Sequence, residues 1–424
     1  MESIRLTELS ALEVLDSRGR PTVQVTAQLA SGARVTAGVP SGASTGTREA
    51  TERRDGDNSR FGGAGVLGAV EAVRGEIAEL VCGREWKSLA DLDAALIDLD
   101  GTPTKSRLGA NAVVGVSMAA AKAFAVTSGQ QLWELLAPDG VEPRLPVPHF
   151  NVINGGAHAP NPLEFQEFMI APVGAPSIAE AVRAGAEVYG ALRRLLTSLG
   201  HGTGLGDEGG FAPELRWPDE ALGMLVTAIE NAGYHPGRDR VAIALDPAAS
   251  EFREADGRYR VGDDHLSSAE MVDQYAELVS RFPIWSIEDG LAEDDPDGWA
   301  AITDRLGERV QLVGDDNFVT NPGIIAAAID AGIGNAALIK VNQVGTVTET
   351  LDAMAVCRRA GYAQMISHRS GETPDTFIAD LAVGTGCGQI KTGAPARGER
   401  VAKYNRLIEI ATARPDLRFG LAAA

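Results

Sequence analysis

Six short apolar runs in this chain each end in a side chain able to hold a cation, a proton or an anion. The run at 241–245 ends at Asp246, that at 284–287 at Glu288 and that at 310–314 at Asp315. The run at 336–339 ends at Lys340, that at 364–367 at His368 and that at 388–390 at Lys391. Three carboxylates in succession offer the all-oxygen ligation that suits Mg²⁺ or Mn²⁺ with waters left for a substrate. Lys340, His368-Arg369-Ser370 and Lys391 then supply cations and a hydroxyl. Metal on one side and cations on the other would receive a small anion carrying phosphate and carboxylate groups.

Such a set works only if the fold gathers it. The six residues are spaced by 42, 27, 25, 28 and 23 positions, close to the roughly 25 to 35 residues of a strand, a crossover helix and two loops. Repeated units of this length predict parallel strands alternating with helices. Ser267-Ser268-Ala269-Glu270 reads as a capping box opening a helix to Phe282, and Asn321-Pro322 as the start of one reaching Ala331. A (β/α)8-type barrel, typically ~250 residues, suits the segment and would bring all six strand ends to one face. An open doubly wound sheet, the structural alternative, would spread them along an edge. Two more carboxylates belong to the same segment: Gln166-Glu167-Phe168-Met169-Ile170 places Glu167 beside a strand, and glycines flank Asp207-Glu208 where the backbone must pass closely.

The first part of the chain reads differently. Val23, Val25, Ala27 and Leu29 alternate with polar residues, and a turn at Ser31-Gly32 leads into 34–39, which predicts a hairpin. Pro40-Ser41-Gly42-Ala43-Ser44-Thr45-Gly46 is a mobile loop by composition. Periodicity turns helical from about 65 to 137, with a buried helix expected over 110–125. The prolines at 138, 143, 146 and 148 mark a boundary, giving an α+β capping domain at 1–137 and the barrel at 138–424.

Composition excludes several functions. Apolar residues make up 44% of the chain and charged residues 23%, an ordinary globular balance. A formal charge of −20 excludes nucleic acid or anionic membrane as a partner of the general surface. Cys82, Cys357 and Cys387 lie far apart, which suggests neither a disulfide framework nor a cysteine zinc site. The opening residues carry acids where a signal peptide needs bases, so the expected location is the cytoplasm. The string Gly204-Leu205-Gly206-Asp207-Glu208-Gly209 fits GxGxxG but is followed by Phe-Ala-Pro instead of a helix, against a dinucleotide site. Gly42-Ala43-Ser44-Thr45-Gly46 fits GxSxG, yet the charged stretch after it is a poor buried helix for a serine hydrolase.

With these residues in view the chain resembles the enolase family over nearly its whole length. The matching text includes Asp16-Ser17-Arg18-Gly19, the 40–46 loop, 166–170, Gly206-Asp207-Glu208-Gly209-Gly210 and Ser286-Ile287-Glu288-Asp289. It continues through Gly314-Asp315-Asp316, Lys340-Val341-Asn342-Gln343, Ser367-His368-Arg369-Ser370-Gly371-Glu372-Thr373 and Gln389-Ile390-Lys391-Thr392-Gly393. The resemblance implies an α+β cap before a modified β/α (TIM-like) barrel, and a Mg²⁺-dependent lyase interconverting 2-phosphoglycerate and phosphoenolpyruvate. It implies Lys340 as the base, with a pKa lowered by positive neighbours and burial, Glu208 as the acid, and Glu167 in its proton network. Asp246, Glu288 and Asp315 would hold one Mg²⁺, and Ser44 would join a second that arrives with substrate. Arg369 and Ser370 would bind phosphate, Lys391 the carboxylate side, and His158, Gln166 and His368 would complete the pocket.

Departures from the family pattern leave alternatives open. His149-Phe150 replaces an apolar pair, Pro160 and Pro162 interrupt a polar segment, and Asn317 stands where an apolar residue is common. These allow an enolase paralogue acting on a carboxyphosphono compound, or a scaffold protein without catalysis. The resemblance also implies a homo-oligomer in which Arg18 pairs with a glutamate near the end of the partner chain. Glu409-Ile410-Ala411-Thr412 lacks that glutamate.

Overall fold

The alternating residues Val23, Val25, Ala27 and Leu29 turn one buried face of a sheet inward in the computed structural model, which describes residues 2–43 and 46–421. Strand β1 (Ile4–Leu15), β2 (Pro21–Leu29) and β3 (Arg34–Gly38) pair antiparallel, and the short β4 (Glu85–Trp86) closes the far edge. The expected hairpin is β2–β3. The stretch whose periodicity turns helical thus also contributes an edge strand. The apolar face of the sheet packs on α1 (Ala110–Thr127), the expected buried helix. Gly115 permits this contact, because a Cβ there would lie 2.7 Å from Val25 and 2.9 Å from Val39. The helix is long and apolar enough to cross a membrane, but 83% of it is buried within the protein. Its far side meets the helix Val347–Ala360, whose first N–H donates to Ser117 Oγ at 2.9 Å.

The barrel strands are β5 (Val147–Asn154), β6 (Glu167–Ala171), β7 (Ala242–Asp246), β8 (Ile284–Glu288), β9 (Gln311–Gly314), β10 (Ala336–Ile339), β11 (Ala363–Ser367) and β12 (Gln389–Lys391). They form a closed ring in chain order, with β12 pairing back to β5. Closure removes the open-sheet alternative. The ring departs from uniform alternation at one point: β5 and β6 are an antiparallel hairpin, and β6 also runs antiparallel to β7. Two helices, α2 (Ile178–Ser198) and α3 (Pro218–Asn231), then follow in succession before β7. From β7 onward strand and helix alternate, through α4 (Ser268–Arg281), α5 (Pro296–Leu306), α6 (Pro322–Asp330), α7 (Val347–Ala360), α8 (Phe377–Gly384) and α9 (Gly398–Ala413). The long first spacing has a physical cause, an additional hairpin of Tyr259–Val261 with Asp264–Leu266 between β7 and β8.

Both expected helix starts occur. Ser267 N–H donates to Glu270 Oε2 at 2.8 Å, and Glu270 N–H returns to Ser267 Oγ at 3.3 Å. Asn321 Oδ1 accepts the N–H groups of Gly323 and Ile324 at 2.9 and 3.1 Å, ahead of Pro322 at the first position of α6. Replacing Asn321 with alanine strips two donors of their partner and is expected to cost about 1 kcal/mol. A downward shift of the urea midpoint at unchanged slope checks it.

Candidate active site

Parallel strands in a closed ring put their C-terminal ends on one face. Asp246, Glu288 and Lys391 are the last residues of β7, β8 and β12, and Asp315, Lys340 and His368 follow β9, β10 and β11 directly. Glu167 joins them because β6 runs the other way, so its first residue lies opposite Asp246. Glu208 arrives on the glycine turn. A Cβ on Gly206 or Gly210 would lie 2.7 Å from Asn154 Oδ1, so the backbone there passes too closely for any other residue. His158, Gln166, Glu167, Glu208, Asp246, Asp315, Lys340, His368, Arg369, Ser370 and Lys391 line one cavity of about 20 Å³. Glu288 lies beside it on Lys391, and Ser44 falls outside the described residues.

Every cation here meets carboxylates. Lys391 Nζ donates to Asp246 Oδ2 and Glu288 Oε1, each at 2.8 Å, and lies 3.2 Å from Glu167 Oε1. Burial would favour the neutral amine, but these three acids outweigh it and hold Lys391 well above the usual lysine range. Lys340 corrects an expectation. Burial does press its pKa down and Arg369 adds to this, but a direct contact with Asp315 outweighs both, so its pKa is raised, not lowered. Arg369 grips Glu49 by both guanidinium nitrogens, at 2.9 and 3.2 Å.

Their surroundings push the two glutamates in opposite directions. Burial and then the charge of Glu208 push Glu167 well above the carboxylate range. Burial acts on Glu208 too, but His368, His158 and Arg400 outweigh it and hold Glu208 well below that range. Asn151 Nδ2 donates to Glu208 Oε2 at 3.0 Å, and His368 Nε2 lies 3.1 Å from the same oxygen. His158 Nδ1 stands between the pair, 3.7 Å from Glu167 Oε1 and 3.9 Å from Glu208 Oε1. Arg400, fully buried on α9, donates to His368 Nδ1, leaving the ring proton on Nε2 facing Glu208. Burial first, and Arg400 with it, bring His368 down to about 4, so the imidazole is neutral at physiological pH.

Arg400, Asn151 and Glu49 were not legible as site residues, because none sits at a strand end. Arg18 was legible only as a subunit contact. Within its own chain it contacts Asp16 at 3.1 Å and donates to Ser370 Oγ at 3.2 Å and to the carbonyls of Ser41 and Gly42 at 3.1 and 3.2 Å. The departures lie off the cavity. His149 is stacked on Trp285 inside the barrel, with ring centroids 5.4 Å apart. Asn161, between the two prolines, donates to the carbonyls of Asn154 and Pro213, and Asn317 offers its carbonyl to Arg48.

Burial holds His149 at about 4, below its ordinary 6.5. The unfolded chain therefore binds the extra proton first, so this residue's contribution is complete above 6.5 and is lost as pH falls toward 4. His149→Phe keeps the stacking and removes the titration. Its unfolding free energy is expected to fall less steeply across that window, by about one proton in the linkage slope. Parallel denaturation curves from pH 7 to 4 measure this.

The donor set fits a hard divalent cation. Asp246 and Glu288 converge on one positive centre, the Lys391 ammonium, and Glu288 Oε2 is buried without a hydrogen-bond partner. Asp315 belongs to a second acidic group with Asp289 and Asp316, whose ligand atoms lie within 4.8 Å of one another. Asp289 shapes that turn by accepting the N–H groups of Asp315 and Asp316, each at 2.8 Å.

A capped barrel with buried acids, lysines and an arginine at its strand ends defines a barrel enzyme for a small anionic substrate. The chain belongs to the enolase family: residues 6–136 match the family model for the enolase N-terminal domain, and residues 142–416 that for the enolase C-terminal TIM barrel domain. Over 410 residues it is 56% identical to the enolase of Rubrobacter xylanophilus, covering 96% of this chain and 95% of that protein.

Proposed function

We propose that this protein is a phosphopyruvate hydratase, a carbon–oxygen lyase interconverting 2-phosphoglycerate and phosphoenolpyruvate in the cytoplasm. The observation that carries the reading is one small cavity shared by Lys340, the Glu167–Glu208 pair and the Arg369-Ser370 anion site. Lys340 takes the proton from the carbon beside the substrate carboxylate. Glu208 is the acid toward the departing 3-hydroxyl: a proton passes from Glu167 past His158 to Glu208 and on to the hydroxyl, which leaves as water. Arg369 and Ser370 bind the phosphate, with His368 and Gln166 packed around them, and Lys391 faces the carboxylate. Asp246, Glu288 and Asp315 would hold one Mg²⁺, and Ser44 would join a second with substrate. When bound, such ions would neutralise charge developing on the substrate carboxylate and draw Asp315 away from Lys340. The division into 1–137 and 138–424, and assembly into a homo-oligomer, belong to the same reading.

Purified protein given 2-phosphoglycerate and Mg²⁺ is expected to produce the ultraviolet absorbance of the enol product, and a chelator to abolish it. Absence of signal at any Mg²⁺ concentration refutes the assignment. A panel including carboxyphosphono analogues separates it from the paralogue reading, whose motivating residues His149, Pro160 and Pro162 do not line the cavity.

A further inference from the structure

Each cation of the site is paired internally, but the pairs differ in what could release them. Lys340 and Lys391 are held by Asp315, Asp246 and Glu288, carboxylates that the proposed reading gives a metal ion to bind instead. Glu49 is outside that set. It sits on the cap, 320 positions from Arg369, yet the two form a two-pronged pair with both side chains buried, at 8% and 2% exposure. Glu49 Oε1 also accepts from Gly46 N at 3.1 Å and from Gln343 Nε2 at 3.3 Å. The geometry is that in which a guanidinium receives a phosphate, with two oxygens in its plane.

The free space agrees. The strand-end cavity of about 20 Å³ has room for about one water and not for a phosphorylated three-carbon acid. A second cavity of about 300 Å³ lies against Arg369 and is lined by Glu49, Gly42, Gly46 and Asn342. It offers the Glu49 carboxylate a place to go if it leaves the guanidinium.

We propose that Glu49 is an internal stand-in for the substrate phosphate, occupying the Arg369 fork until a phosphate displaces it. The inference rests on the reading above that Arg369 is the phosphate site. It makes Glu49 a specificity-determining residue. A phosphate, with more charge and more acceptor oxygens than a carboxylate, can outcompete the resident acid, whereas a ligand carrying only a carboxylate there has no such advantage.

The test is calorimetric titration of the full-length protein with inorganic phosphate at neutral pH, on wild type, Glu49→Gln, Glu49→Asp and Arg369→Gln. Glu49→Gln keeps an acceptor for Gly46 N and removes the competing charge, so phosphate is expected to bind roughly tenfold more tightly. Glu49→Asp, one methylene short of the fork, is expected to tighten binding by less and serves if the glutamine variant is poorly folded. The KM for phosphoenolpyruvate is expected to fall in parallel. Unchanged or weaker phosphate binding in both Glu49 variants overturns the proposal and makes Glu49 a prop that stays on Arg369 with substrate bound. Arg369→Gln is expected to lose phosphate binding. If it does not, the phosphate assignment of Arg369 is what has failed.

Discussion

Lys340→Ala is expected to lower turnover of 2-phosphoglycerate by roughly 10²–10⁴-fold, the usual worth of a positioned proton-transfer group. Lys340 is the cavity lysine directly beside Asp315, and its ammonium makes no other hydrogen bond to a side chain among the described residues. Removing it frees Asp315 without uncovering a new cation, so divalent-ion affinity is expected to survive. The role is read by exchange at the carbon beside the carboxylate. In deuterated water the alanine variant should lose exchange there, whereas Glu208→Gln should slow turnover and retain it. Substantial activity in Lys340→Ala would transfer the base role to another residue. Exchange lost equally in both variants would dissolve the division of labour between Lys340 and Glu208.

Lys391→Ala is the substitution with the largest expected effect on the fold. One buried ammonium holds Asp246, Glu288 and Glu167 together at 2.8 to 3.2 Å. Without it three acids share a space closed to water. Breaking a buried pair by removing one partner costs about 3–5 kcal/mol, measured as the change in unfolding free energy at neutral pH in the presence of a chelator. The loss should shrink as pH falls, because the stranded carboxylates escape their repulsion by taking up protons. Arg281→Ala is the comparison. That arginine also touches two acids, Glu277 at 3.0 Å and Asp219 at 3.3 Å, but its side chain is 46% exposed, and its loss should stay within about 1 kcal/mol. Equal effects would mean that Lys391 is far better solvated than its burial indicates.

The placement of site residues was legible wherever a short apolar run ended in a polar residue. Asp246, Glu288, Asp315, Lys340, His368 and Lys391 follow one rule, and the closed ring turned their linear order into a circle. Glu167 followed another, since it begins a strand, and only the reversal of β6 brings it to the same face. Lys340 shows the limit from the opposite side. Its position was readable, but the direction of its pKa was not, because that depends on whether Asp315 or Arg369 comes nearer. Arg18 was readable as a motif, while its reach to Ser370 and to the Ser41 and Gly42 carbonyls was not.

By itself the sequence determined the alternation of strands and helices in the second part of the chain, the acidic balance and the chemical types at the strand ends, while closure into a barrel instead of an open sheet came from the tertiary structure. These rest on periodicity, capping and unit length, all of which act between near neighbours in the chain. Tertiary structure alone decided the pairings: Glu49 on Arg369, Arg400 on His368, and Lys391 among three acids. It also decided the opposite directions in which Glu167 and Glu208 are pushed, through burial, the charge of Glu208 on Glu167, and the histidines beside Glu208. Those outcomes turn on distances of about 3 Å between residues as many as 320 positions apart, and on the exclusion of water around them. Neither quantity is written in any local stretch of residues.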